Sequence, residues 1–381
     1  MPALAAILAA ALTAVAGCGL QPNEPTPTPP PTATPSPTPV PTPTPWPHPV
    51  ARIVLVAAPG ETQPGSRSQL AWLGIADAAG RLGSATSLIS PLDASQLSTE
   101  VTKAAAGATP GPSATPDATP LPAMAGGMTV VVTAGRSGAL AALAAAPANP
   151  ATQFLILDQW MAADAPANVH GLVFDGAEAG YLAGLAAADA SATPVVGFVA
   201  LSKTDPGSVG YLAGMANGVL ESNPAATVTP AYVGSTADPA RGRAAVNGLV
   251  KAGAGAIIAS PDLTGYGAMR QACADNLALV ALATDASLLL PDVQPCLVAS
   301  VVYRYDFAVR DAIVALASGQ ALPHAIVSDV ASGGLVLSFV RPASPILQAR
   351  LALVLAWMLE GPPRPTPSIA SPAPTASVAA G

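Results

Sequence analysis

The chain has 381 residues, 51% hydrophobic and only 10% charged, with a net charge of -7, which is enough apolar material for one large core or two ordinary ones. Aromatic residues make up 4% and no run of Lys or Arg interrupts the acidic balance. A nucleic-acid partner, which needs clustered positive charge or stacking rings, is therefore excluded from the expectations.

Residues 3 to 16 form an apolar stretch too short to span a bilayer, ending in Val15-Ala16-Gly17-Cys18. That tetrad resembles a bacterial lipobox, in which small residues precede a lipid-modified cysteine, although no Lys or Arg stands before the apolar run. The expectation is a signal peptide over residues 1–17 and lipid attachment at Cys18, holding the protein on the extracytoplasmic face of the cell membrane. An ordinary signal peptide with an incidental cysteine is the alternative.

Residues 18–48 are dominated by Pro and Thr, which form neither helix nor sheet and favour an extended polyproline stalk. Two further segments share this composition. One, at about 106–122, reads as a disordered insertion in a folded region, and the other, 361–381, as a disordered tail.

Between 51 and 360 short apolar runs alternate with Ala/Gly-rich helical stretches, the rhythm of parallel strands joined by crossover helices. Strands are expected at 53–57, 129–133, 154–157, 195–199, 228–233, 256–259, 279–283 and 297–301. Helices are expected at 68–82, 138–145, 177–188, 209–221, 239–252, 266–276 and 307–317. The order predicts an α/β protein with two doubly wound parallel sheets, and a ligand held where strand C-terminal ends of both sheets face each other. A last helix at 345–359 is too short for a membrane span and carries Arg350; it reads as a buried terminal helix, with an interfacial helix as the alternative. Cys273 and Cys296 either form a disulfide or remain two separate thiols, and spacing does not decide which.

Several segments, taken in order, resemble the basic membrane protein (BMP) family, the nucleoside-receptor-like lipoproteins that serve ABC importers. Glu178-Ala179-Gly180-Tyr181-Leu182-Ala183-Gly184 is similar to its E-A-x-Y-L-A-G helix start, and Val196-Gly197-Phe198-Val199 to its V-G-F-V strand. Tyr232-Val233-Gly234-Ser235 with Asp238-Pro239-Ala240-Arg241-Gly242 resembles Y-x-G-S-x-x-D-P-x-K-G. Gly265-Tyr266-Gly267 resembles a G-x-G before a helix, and Ser300 to Val309 resembles S-x-x-K-x-x-D-x-A-V.

The resemblance implies a type I periplasmic-binding-protein fold, with two lobes joined by three crossovers and closing on a small molecule that is passed to an ABC permease. The lobes it implies are 49–175 plus 284–323 and 176–283 plus 324–360. In characterised relatives the ligand is a purine nucleoside. Here the two ring-stacking phenylalanines of the family fall on Arg67 and Thr236, its first-loop acidic residue on Ala58, and its lysine on Tyr303.

Candidate ligand residues are Ser66, Arg67 and Gln69 in the first loop, Arg136 and Ser137 after one strand, and Asp158 and Trp160 after the next. Thr236, Asp262, Asp285 and Tyr303 complete the set. Arg67 and Arg136 suit an anionic ligand, or are solvated surface charges; Asp158 and Asp285 suit hydroxyls or an amine, with helix capping as the alternative for Asp158.

The three histidines, His48, His170 and His324, are isolated in sequence, and no metal-spaced Cys/His set or nucleophile elbow is present. Gly265-Tyr266-Gly267 opens a helix, but Arg270 stands where a dinucleotide fingerprint needs its third glycine. No catalytic residue, metal or cofactor is expected. The leading expectation is an extracytoplasmic importer receptor for a small polar solute. A sensing or surface-interaction module with a degenerate cleft is the runner-up, and a surface hydrolase on the same scaffold the third reading.

Overall fold

The computed structural model describes residues 46–59, 61–107 and 126–360. The expected signal peptide, Cys18, nearly all of the stalk, most of the insertion and the tail lie outside the described residues.

The first half runs β1 (Val50–Val56), α1 (Arg67–Leu82), β2 (Ala85–Ile89), α2 (Leu97–Ala105), β3 (Met128–Ala134), α3 (Gly135–Ala145), β4 (Thr152–Leu157) and β5 (Val169–Phe174). It continues with α4 (Gly176–Ala190), β6 (Val195–Ala200), α5 (Pro206–Ser222), β7 (Thr227–Tyr232), α6 (Pro239–Lys251), β8 (Ala256–Ala259), α7 (Leu263–Ala274) and β9 (Ala278–Ala281). The remainder is α8 (Ala286–Leu289), β10 (Leu297–Tyr303), α9 (Tyr305–Ala317), β11 (Ala325–Ser328), β12 (Leu335–Phe339) and α10 (Pro345–Glu360).

Two six-stranded sheets result, ordered β2-β1-β3-β4-β5-β11 and β7-β6-β8-β9-β10-β12. All pairings are parallel except β10 with β12. Alternation explains why each sheet is covered on both faces. Leu55, Val132 and Leu155 face α1 and α9, while Val54, Val56 and Val131 face α2 and α3. In the second sheet Phe198 and Ile258 turn toward α4 and α5, and Val199 and Ile257 toward α6 and α7. These are the two doubly wound sheets that the order of elements predicts, in the two-lobed periplasmic-binding-protein architecture that the resemblance implies.

Helix starts are written in the sequence as aspartates. Asp175, Asp205, Asp238, Asp262 and Asp285 each accept backbone N–H groups at the start of α4 to α8, and Pro206 and Pro239 occupy first-turn positions. Close packing needs glycine at a few places. A Cβ on Gly214 of α5 would sit 1.8 Å from the Ala177 carbonyl oxygen of α4, and one on Gly74 of α1 would sit 2.1 Å from the Asp306 carbonyl oxygen of α9. No larger residue fits without moving a helix.

Four strands, β2, β5, β11 and β12, and helices α2 and α8 go beyond the expected elements. β2 (ATSLI) and β5 (VHGLVF) carry polar residues or glycine that break the apolar run. In β5 the buried His170 is satisfied by the Pro323 carbonyl at 2.9 Å and the Gln153 side chain at 3.1 Å. The expected strand 279–283 stops at Ala281, and Ala283 beyond it has φ 63°.

Two expected lobe boundaries are corrected by sheet membership. β10, within the segment 284–323 assigned to the first lobe, lies in the second sheet, and β11, within 324–360, lies in the first. A buried apolar strand such as LVASVVY fits either sheet, so its pattern does not reveal its partner.

The chain thus crosses between lobes at Asp175, at Arg304 and between Ser328 and Leu335. Backbone hydrogen bonds tie the three crossings together: Asp175 N–H donates to Ser328 O at 2.9 Å and Arg304 N–H to Gly334 O at 2.8 Å. Glu178 accepts from Val330 N–H at 2.9 Å. Cys273 and Cys296 form a disulfide with Cα atoms 5.2 Å apart, joining the end of α7 to the start of β10. α10 buries Leu347, Leu351 and Val354 and exposes Ile346 and Leu353. No helix of the described residues is long and apolar enough to cross a membrane.

Candidate functional site

The C-terminal ends of β1, β4, β8, β9 and β10 surround a cavity of about 770 Å³, continuous in its lining with a smaller chamber of about 330 Å³. Asp158, Tyr211, Thr236 and Asp262 border both.

The first-lobe wall is built around Arg67. Ser66 caps α1 by accepting from Gln69 N–H, and its hydroxyl donates to the Glu61 carbonyl at 2.6 Å, which fixes the loop before the helix. Arg67, the first residue of α1, points its guanidinium at two carboxylates. Nε donates to Glu61 Oε2 at 3.1 Å, Nη2 donates to Glu61 Oε1, and Nη1 donates to Asp158 Oδ2 at 3.2 Å. Tyr305, the first residue of α9, donates its hydroxyl to Asp158 at 2.9 Å. Asp158 holds φ 57° immediately after β4, a left-handed conformation uncommon outside glycine and one that persists where surrounding contacts enforce it.

Burial pushes the Asp158 carboxyl above its usual range, while Arg67 and the Tyr305 hydroxyl oppose that rise. Both partners donate to it, and hydrogen bonds of that kind favour its ionised form. Burial would lower the Arg67 guanidinium, but Glu61 and Asp158 hold it above its ordinary value.

The second-lobe wall is aromatic and acidic. Tyr303, at the end of β10, stacks on Phe174 with centroids 4.4 Å apart, and its hydroxyl meets that of Tyr211 from α5 at 2.6 Å. Burial pushes the Tyr211 phenol up to about 12 and that of Tyr303 well above its usual value. Four of the chain's six tyrosines, Tyr211, Tyr266, Tyr303 and Tyr305, line the larger cavity. Asp262 caps α7 through Gly265 N–H at 2.7 Å, and burial pushes its carboxyl up to about 6.

Of the residues expected from sequence, Ser66, Arg67, Asp158, Thr236, Asp262 and Tyr303 border this cavity. Gln69, Arg136, Ser137, Trp160 and Asp285 do not. Gln69 accepts from Gly65 N–H at 3.3 Å, and Asp285 is spent on Ser287 at the start of α8. Arg136 and Ser137 are exposed on the first turn of α3. Arg136 and Trp160 border a separate pocket of about 390 Å³, and Trp160 is 68% exposed. Arg67, expected to suit an anionic ligand, is paired here with two carboxylates, Glu61 and Asp158.

Glu61, Tyr211, Tyr266, Thr284 and Tyr305 were not anticipated. Glu61 had one visible signal: it is an acidic residue in the loop after β1, displaced from the Ala58 position by three places in sequence.

The Bmp family, described as ABC transporter substrate-binding protein PnrA-like, matches residues 122–340, more than half of the chain. The chain belongs to this family. Bmp proteins are thus substrate-binding proteins of ABC transporters by description. No curated protein matches the chain significantly in sequence.

Solved structures of the same fold include a transcriptional activator of the comK gene from Bacillus halodurans (TM-score 0.62, 15% identity, 80% of this chain and 96% of that one). An ABC transporter solute-binding protein from Conexibacter woesei matches with TM-score 0.59 and 20% identity, over 81% of this chain and 95% of that one. Another solute-binding protein, from Aeropyrum pernix K1, matches with TM-score 0.56 and 22% identity, over 81% and 80%. These neighbours bear on the fold; what this Bmp chain binds is a question for its own cleft.

Proposed function

We propose that the chain is the lipid-anchored, extracytoplasmic receptor of an ABC importer, binding a small polar solute in the interlobe cleft and presenting it to a membrane permease. The carrying observation is the cleft itself, walled by strand ends of both sheets and bridged by three crossings at which the lobes can turn. Membership of the Bmp family supports the importer role. The reading includes no catalytic step and no cofactor.

A nucleoside remains within the reading, but the rings that would hold it are tyrosines from α5, α7 and β10 rather than the two phenylalanines that the family resemblance implies. The test is a thermal-shift screen of the purified chain against nucleosides, sugars, amino acids and amines. A solute at 100 times its dissociation constant stabilises the fold by about 2.7 kcal/mol. Silence across the panel overturns the receptor reading in favour of an anchored sensing module. The anchor is tested separately: fatty-acid labelling in cells is expected to be lost with Cys18→Ser.

A further inference from the structure

Three carboxylates, Glu61, Asp158 and Asp262, face the larger cavity against a single cation, Arg67. Arg67 is engaged by the first two, so the group as a whole is left with excess negative charge. Asp205 adds another carboxylate in the smaller chamber, where it caps α5 through Ser208 N–H at 2.7 Å. Arg241, next to the lining residue Val233, is spent on the Val233 carbonyl at 3.0 Å and on Asp238.

Asp262 has no salt-bridge partner among the described residues; its carboxylate accepts backbone N–H groups at the start of α7, Gly265 N–H at 2.7 Å and Thr264 N–H beside it, and meets no cation. It borders both chambers, and Tyr266 of the same helix lines the larger one four residues on. Closure of the lobes strips water from such a site, and an uncompensated buried charge is costly. An anion would meet repulsion, with no unpaired cation among the described lining residues to answer it. A neutral polyol would leave the excess charge in place. A protonated amine reduces it, and tyrosine ring faces add attraction to the same cation.

Resting on the receptor reading above, we infer that the cleft selects a solute carrying a protonated amine or quaternary ammonium group, held by Asp262 with Tyr266 beside it. Asp262 is then a specificity residue as well as a helix cap. The rest of the solute lies against Tyr211 and the Arg67–Asp158 wall, whose carboxylates accept from its hydroxyl or further N–H groups.

The experiment offers single scaffolds in different charge states to the purified chain at pH 7.5, read by calorimetry and thermal shift. The sets are glucosamine, glucose and glucuronate; putrescine, butanediol and succinate; and choline with its uncharged isostere 3,3-dimethylbutanol. At least one cationic member is expected to bind at least tenfold more tightly than its neutral counterpart. Asp262→Asn, which keeps an acceptor to cap α7, is expected to lose that binding at least tenfold. Asp285→Asn, which touches only the α8 cap, should leave it unchanged.

Equal or tighter binding of a neutral or anionic member, or unchanged amine affinity in Asp262→Asn, overturns amine selection while leaving the receptor role standing. Failure of every member in every charge state overturns both.

Discussion

The Thr284 hydroxyl, just beyond β9 in the second lobe, donates to the Gly65 carbonyl of the first lobe at 2.6 Å. Gly65 also approaches Leu288 and Leu289 of α8, where a Cβ on it would sit 3.4 Å from the Leu289 amide nitrogen. The lobes therefore touch beside the cleft at a point remote in sequence from all three crossings. Thr284→Val removes the bond and keeps the shape. A net hydrogen bond contributes about 1 kcal/mol, so the open form is expected to gain roughly fivefold in population. Small-angle scattering of the ligand-free chain should show a larger radius of gyration, and an unchanged radius would mean that Thr284 does not restrain the lobes.

Arg67 neutralises two partly buried carboxylates, and its removal leaves both without a cation. Arg67→Met is expected to lower stability by about 1–3 kcal/mol, the range appropriate to pairs that retain some solvent contact. Adding Glu61→Gln should recover part of the loss. Urea denaturation of the two variants measures this, and no recovery in the double variant would place the effect in packing rather than charge.

Asp262 gives a pH signature whose sign follows from its environment. Burial raises its folded-state value to about 6, so the folded chain holds a proton that the unfolded chain has released between roughly pH 4 and 6. Stability from this group is full below that window and is lost as pH rises through it. The charged groups sharing its cavities are Glu61, Arg67, Asp158 and Asp205, with Tyr211, Tyr266, Tyr303 and Tyr305 as the phenols. Comparison with Asp262→Asn isolates its share: the variant should match the parent near pH 4 and be more stable near pH 7.5, by about 1–2 kcal/mol after discounting for solvent contact. Parallel stability curves would refute the shift.

The sequence pattern made most of this fold legible and rather less of the cleft. Apolar runs such as VARIVLV and MTVVVTA announced central strands because such strands are buried on both faces. β11 (AIVS) has only three apolar residues before its Ser and β2 is interrupted by Thr and Ser, so neither carries a signal above its surroundings. Strand-end logic found Asp158, Asp262 and Tyr303. It could not tell cleft from rim, and so also gathered Arg136, Trp160 and Asp285, which follow β3, β4 and β9 but turn elsewhere. Tyr211 sits inside α5 and reaches the site only through packing, which no local pattern encodes, whereas Tyr305 opens α9 two residues after β10 and was passed over in favour of Tyr303.

The glycine contacts between helices predict a sharp contrast. Gly214→Ala drives a methyl into the Ala177 carbonyl, and forcing α4 and α5 apart is expected to cost about 3 kcal/mol, a Tm drop of roughly 5–10 °C. Gly80→Ala, on α1, meets nothing within 4 Å and should hold or raise the Tm through better helix propensity. Differential scanning calorimetry distinguishes them, and equal effects would contradict the packing account.

The disulfide closes a sequence separation of 23 residues. Cleaving it, or the Cys273→Ser/Cys296→Ser pair, is expected to cost about 3 kcal/mol on the loop-entropy account. Denaturation with and without reductant measures it, and an unchanged midpoint would show that the bond adds little beyond the packing of α7.

The start of the described chain lies against the far end of α9. His48 N–H donates to the Ala317 carbonyl at 3.0 Å, whereas Tyr305, at the other end of that helix, reaches Asp158 in the cleft. Thirteen helical residues separate the two points, about 20 Å at the usual rise per residue. A sensor surface or fluorescent carrier fused ahead of Trp46 would thus join the body well away from the binding mouth. Immobilisation by that end should leave solute access, and the optical readout of closure, unobstructed.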